Sequence, residues 1–301
     1  MTRHEAVESV ISRVKAVYGR WRRDTTVAQM REDWDALFSA TGDARFDPIQ
    51  ADGVPCAWVT AAGARIDRVI VYFHGGGYQV GSLSSHRELM SRLSEAAGVR
   101  VLGVGYRLAP EHQYPAPLED ALTVMRWLLA KGFPAHHIAL AGDSAGGGLA
   151  LATLLAMQGH GCPAAAFTMS AWTDLAATGA SYETRAASDP IHQRSMILAM
   201  ARNALGKDGD PRSPLVSPLY ALPEQLGILP PLLLQVGDRE TVLSDSQEFV
   251  RKVRDAGGQA QCDVWPEMVH VFQQFPDELS EARDALERGG RFLAMQLDAT
   301  D

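Results

Sequence analysis

A chain of 301 residues with 46% hydrophobic and 21% charged side chains can bury a substantial core, and its formal charge of −8 disfavours a nucleic-acid or anionic-membrane partner. No run approaches the ~18 consecutive apolar residues of a membrane-spanning helix, and the polar first residues lack the apolar stretch of a secretory signal, so a cytoplasmic location is expected. Three widely separated cysteines, Cys56, Cys162 and Cys262, suggest neither a disulfide framework nor a thiolate metal site and read as buried reduced thiols.

Along the chain, Val7, Val10, Ile11, Val14, Val17 and Tyr18 repeat with helical spacing, and Met30 to Phe38 forms a second short amphipathic piece. From about residue 54 the pattern changes to β-rich runs alternating with amphipathic segments. Strands are expected at Pro55 to Val59, Val69 to Phe73 and Val101 to Val104, with a helix from Arg87 to Ala97 between the last two. A helix from Leu118 to Ala130 ends at Gly132, and His136-His137 read as surface histidines beginning the strand Ile138 to Ala141. A small-residue helix from Ala145 to Met157 and a strand from Ala164 to Met169 follow. The alternation breaks over 178–228, which holds Asp189-Pro190, a helix-like Ser195 to Ala204 and a proline-rich 211–223. It resumes with Pro231 to Val236, a helix near Asp245 to Ala256, Ala260 to Trp265 and a final helix from about Pro276 to Met295.

Strands joined by helices of this length imply a mostly parallel, doubly wound α/β sheet covered on both faces, with ligands bound at the carboxyl ends of the strands. The expected organisation is an N-terminal helical cap at 1–50, a core in two parts at 51–177 and 229–301, and a cap insertion at 178–228.

Chemistry-bearing motifs stand where that geometry asks for them. Gly142-Asp143-Ser144-Ala145-Gly146 directly follows an apolar strand and resembles a nucleophile elbow, whose sharp strand-to-helix turn glycine tolerates. Ser144 is then the nucleophile, and the amide of Ala145, at a helix N-terminus, is an oxyanion donor. His74-Gly75-Gly76-Gly77 follows Val69 to Phe73 without a gap and can turn several N–H groups toward one oxygen. Neither GxxxxGK[ST] nor GxGxxG occurs, which disfavours a phosphate loop. A serine at its ordinary pKa needs a base and an acid, in chain order Ser, acid, His. His270 stands five residues beyond Ala260 to Trp265, and Asp238, Glu240 and Asp245 follow the strand ending at Val236.

In order and spacing, the His74 to Gly77 loop, Tyr106-Arg107-Leu108-Ala109-Pro110-Glu111-His112 and the Gly142 to Gly147 run resemble the hormone-sensitive-lipase-like, bacterial GDSAG esterase branch of the α/β-hydrolase superfamily, from about residue 55 to the C-terminus. The resemblance implies an α/β-hydrolase fold with a helical cap and an oxyanion hole built from Gly76, Gly77 and Ala145. It favours Glu240 as the acid, which lies 30 residues before His270 and is followed by Leu243 and Asp245; Asp238 stays open as the alternative, and Asp245 reads as a helix N-terminal residue. Asp143 is expected to hydrogen-bond within the elbow, Arg107 to pair with Glu111, and Trp172 and Asp189 to reach the pocket.

The expected reaction is hydrolysis of a small-molecule ester, with short acyl chains implied by the resemblance, through an acyl-enzyme and without metal or organic cofactor. A lactonase, amidase or deacetylase could use the same groups, and a non-catalytic small-molecule receptor could share the fold. A homodimer through a sheet edge or terminal helix is compatible with this architecture.

Overall fold

In the computed structural model, which describes residues 2–22 and 24–299, the strand runs that are apolar throughout become the centre of one sheet. The elements in chain order are α1 (Arg3–Tyr18), α2 (Val27–Leu37), β1 (Arg45–Ala51), β2 (Val54–Thr60), β3 (Arg65–Phe73), α3 (Arg87–Ala97), β4 (Val99–Val104), α4 (Ala116–Ala130), β5 (Ile138–Asp143) and α5 (Ser144–Ala156). They continue with β6 (Ala166–Met169), α6 (Ser181–Thr184), α7 (Arg194–Leu205), α8 (Pro223–Leu226), β7 (Leu232–Gly237), α9 (Leu243–Asp255), β8 (Ala260–Trp265) and α10 (Ser280–Asp298).

The strands form one eight-stranded sheet in the order β1-β2-β4-β3-β5-β6-β7-β8. Pairing is antiparallel for β1 with β2 and for β2 with β4, and parallel from β4 through β8, so the sheet is mostly parallel and doubly wound. Successive side chains of β3 serve opposite faces, as a period of two requires. Val69, Val71 and Phe73 join the core made with α4, α5 and α9, whereas Ile70 and Tyr72 join that made with α3 and α10. A third cluster packs α1, through Val7, Val10, Ile11 and Val14, against Met268, Val269, Phe272 and Phe275 in the segment around His270.

Several expectations need correction. Residues 45–50, placed with the N-terminal helices, belong to the edge strand β1, which is joined to β2 by a tight turn in which Asp52 and Gly53 both have positive φ. Its half-exposed pattern, with Pro48 tolerated at an edge, hid it, although Asp52-Gly53 is itself a hairpin signal. His136 and His137 close a single 3₁₀ turn before β5 rather than beginning the strand. Of the cysteines only Cys56 is buried, while Cys162 is exposed and Cys262 intermediate. Arg107 pairs with Asp120 and Glu119, not with Glu111, because the start of α4 folds back under it; Glu111 pairs with Arg31 instead.

Candidate active site

Ser144 sits where β5 turns into α5, and its φ of 51° lies in the left-handed region that only a constrained turn imposes on a serine. Two flanking glycines make the turn possible by close approach. A Cβ on Gly146 would stand 2.0 Å from the carbonyl oxygen of Phe73, and one on Gly142 would stand 2.5 Å from that of Gly146. The amide of Trp172, in the loop after β6, donates to the carbonyl of Ser144 at 2.9 Å and braces the turn from the other side.

Nε2 of His270 lies 2.9 Å from Oγ of Ser144, and its Nδ1 lies 2.7 Å from Oε2 of Glu240. A carboxylate only accepts, so Nδ1–H donates to Glu240 and Nε2 is left to accept from the serine hydroxyl. Oε1 of Glu240, fully buried, accepts from the amide of Gly237 and from Oγ of Ser170 at 2.8 Å; Ser170 in turn accepts from the amide of Val271 at 3.0 Å. Ser170 therefore ties the carboxylate to the His270 loop, a role that no sequence motif signalled. Burial alone would lower the pKa of His270, but the hydrogen bond and charge of Glu240, with the charges of Asp189 and Asp143, lift it above its ordinary value. Asp238, the alternative acid, instead accepts from the amide of Glu267 at 2.6 Å. Asp245 lies in the first turn of α9 as expected, yet its carboxylate accepts from the amides of Thr173 and Asp174 and does not reach His270.

Gly76 and Gly77 have φ of 115° and 60° and line the same cavity as Ser144 and His270. Ala145 lies in the first turn of α5, where amides have no intrahelical acceptor. Asp143 does more than serve the elbow. Its Oδ1 accepts from the amide of Gly75 at 2.9 Å and from Tyr72 at 2.6 Å, and His86 adds a longer contact, so the carboxylate binds the glycine loop to the nucleophile turn. Burial pushes its pKa up, but the charge and hydrogen bond of His86 with the Tyr72 hydroxyl outweigh that and hold it below the usual carboxylate range. His74, stacked on Tyr106 at 4.4 Å, is lowered to about 4 by burial and by the charge of His86.

The cavity over these groups measures about 230 Å³. Its walls include Tyr18, Trp34 and Phe38 in the N-terminal segment, Ile197 and Met200 on α7, Trp172 after β6, Val242 after β7 and Phe275 after β8. His192 also lines it, its ring 4.4 Å from that of His270 and nearly perpendicular. Burial, and then the charge of His270, lowers His192 to about 3, so it is a neutral neighbour. Asp189 does not line the cavity. It accepts from the amides of Ile191 and His192 and from Thr241, which fixes the His192 loop beside Glu240. Among the described residues no group of three or more His, Cys, Asp or Glu side chains could hold a metal ion, and no helix is long and apolar enough to cross a membrane.

Ser144, Glu240 and His270 stand after β5, β7 and β8, beside a glycine loop after β3, an arrangement with the geometry that serine hydrolases use. The family described as alpha/beta hydrolase fold matches residues 70–274. An acetyl-hydrolase of Streptomyces hygroscopicus is 43% identical over 238 residues, covering 78% of this chain and 78% of its own length. An esterase of Acinetobacter venetianus is 34% identical over 252 residues, covering 83% and 82%. The crystal structure of an esterase from the bacterial hormone-sensitive lipase family superimposes with a TM-score of 0.93 at 41% identity, covering 99% of this chain and 100% of that one. The chain belongs to the α/β-hydrolase family, among its hormone-sensitive-lipase-like ester hydrolases.

Proposed function

We propose that the protein is a serine carboxylesterase acting on small neutral esters with short acyl chains, through Ser144, His270 and Glu240. The observation that carries this reading is the unbroken hydrogen-bonded line from Glu240 through His270 to Ser144. In the proposed mechanism Oγ of Ser144 attacks the ester carbonyl while Nε2 of His270 takes its proton. The resulting imidazolium is held by Glu240, whose carboxylate is oriented by Gly237 and Ser170. The tetrahedral oxyanion is stabilised by the amides of Gly76, Gly77 and Ala145; one such donor is worth roughly 2.7–4 kcal/mol where it has been measured. His270 then protonates the leaving alcohol, and water repeats the sequence on the acyl-enzyme.

A neutral substrate is supported by the cavity walls, which among the described residues carry no Lys or Arg and whose Asp143 is already engaged below the elbow. Short acyl chains are supported by the limited cavity and by the acetyl-hydrolase relative. We assign α1 with α2, and the segment 178–228, as the two parts of a cap, since both supply cavity walls. The test is kcat/KM for a series of 4-nitrophenyl esters from acetyl to decanoyl, with the highest values expected up to hexanoyl. A steady rise toward decanoyl would overturn the short-chain assignment.

A further inference from the structure

Helix α2 supplies Met30 and Trp34 to the cavity wall; none of its residues is fully buried, and its apolar packing comes from Leu37, half-buried against the α1 cluster, and from ring contacts of Trp34 with Tyr18 and Trp21. Polar contacts add to that packing, and one guanidinium makes most of them. Nε of Arg31 donates to the carbonyl of Gln79 at 2.8 Å, and Nη2 donates to that of Ala109 at 3.0 Å. Both Nη atoms donate to the carboxylate of Glu111, at 2.9 and 2.7 Å.

Those acceptors lie in and behind the glycine loop. The amides of Gln79 and Val80 both donate to the carbonyl of Gly76 at 3.0 Å, closing a turn that contains Gly77. The amide of Ala109 donates to the carbonyl of Tyr78 at 2.8 Å, so the turn is tied to the segment that Arg31 also grips. From the opposite side Nδ2 of Asn203, on α7, donates to Oε1 of Gln79 at 2.9 Å.

We propose that Arg31 is a positioning residue for the reaction: by holding the carbonyls of Gln79 and Ala109 together it fastens α2 over the cavity and fixes the turn that aims the amides of Gly76 and Gly77. Docking of α2 and the geometry of the oxyanion donors are thereby one event. The exposed ion pair with Glu111 orients the guanidinium, while the two carbonyl bonds carry the positioning. Its kinetic consequence rests on the esterase reading above.

The test compares Arg31→Met, Arg31→Lys and Glu111→Gln by steady-state kinetics on 4-nitrophenyl acetate, by the rate at which a small alkyl phosphonate labels Ser144, and by amide exchange. Arg31→Met is expected to lower kcat and the labelling rate together, on the order of 10- to 100-fold, as misplacement of the donors by a fraction of an ångström to an ångström implies. KM is expected to move less, and exchange protection is expected to fall both in α2 and at residues 76–80. Lysine cannot reach both carbonyls, so Arg31→Lys is expected to resemble Arg31→Met, and Glu111→Gln to lose less than either. The proposal is overturned if Arg31→Met alters only KM, if protection falls in α2 alone, if lysine restores wild-type rates, or if Glu111→Gln is the most damaging change. A wild-type chain that neither turns over esters nor forms an adduct would instead overturn the esterase reading; exchange at 76–80 would still decide the coupling.

Discussion

Oε2 of Glu240 stands 2.7 Å from Nδ1 of His270, and the other oxygen of the same carboxylate is fully engaged by Gly237 and Ser170. The carboxylate therefore cannot rotate away from the imidazole, and the imidazole is held in the tautomer that leaves Nε2 facing Ser144. Replacing Glu240 by glutamine removes the charge and the tautomeric preference while keeping the volume. Glu240→Gln is expected to lower kcat by on the order of 10³- to 10⁴-fold. Asp238→Asn, which alters only a contact to the Glu267 amide, is expected to leave kcat close to wild type. Steady-state kinetics of both variants decide between the carboxylates, and an undiminished rate for Glu240→Gln would remove it from the mechanism.

In the proposed mechanism His270 must be neutral to accept the serine proton, so the acid limb of kcat/KM is expected to report His270 in the free enzyme. Because Glu240 and the nearby carboxylates raise its pKa despite burial, activity is expected to fall as pH drops through a value above the ~6.5 of an ordinary histidine. A pH profile with its acid limb at or below that value would contradict the electrostatic account.

Gly146 and Gly77 are expected to fail differently when given a methyl group. At Gly146 the new Cβ meets the backbone carbonyls of Phe73 and His74, which cannot yield without disturbing β3, so Gly146→Ala is expected to cost ~3 kcal/mol of stability. At Gly77 the nearest atom is Sδ of Met200, 2.7 Å away on a flexible side chain, although the φ of 60° adds strain. Gly77→Ala is expected to fold and to lose activity. Denaturant unfolding beside kcat for each variant separates the two, and equal stability losses would contradict this division.

His192 is kept neutral beside His270 by burial first and by the charge of His270 second, with Asp189 pulling the other way. In the unfolded chain it binds a proton below ~6.5, whereas in the fold it does so only near 3. Between those values the unfolded state holds the extra proton, so this site costs stability as pH falls, by up to ~1.4 kcal/mol per pH unit. His192→Phe keeps the ring and removes the titration. Its unfolding free energy is expected to gain on wild type as pH falls from about 7 through 6 to 5, approaching that slope only between 6 and 5. A difference independent of pH would contradict burial as the cause.

The mostly parallel sheet was legible because β3, β5, β6 and β7 are apolar on both faces; Ser144 and Glu240 could be picked as candidates because each stands just beyond such a run, and His270 because it follows the half-exposed strand β8. The edge strand β1 was not, since half-exposed strands carry no continuous apolar signal. Ser170, His192 and Arg31 were equally silent. Each makes its hydrogen bonds or ring contact to residues far away in the chain, and a serine, histidine or arginine outside a motif looks like any other. The mispaired Arg107 and Glu111 fail for the same reason: sequence proximity suggested partners, while the fold turned Arg107 toward α4 and Glu111 toward α2.

Ser144 is the attacking group in the proposed mechanism. Incubation of the wild-type protein with an alkyl phosphonate, followed by peptide mass spectrometry, is expected to place a single adduct on Ser144 in step with loss of ester turnover. An adduct elsewhere with turnover abolished, or full ester turnover by Ser144→Ala, would contradict it.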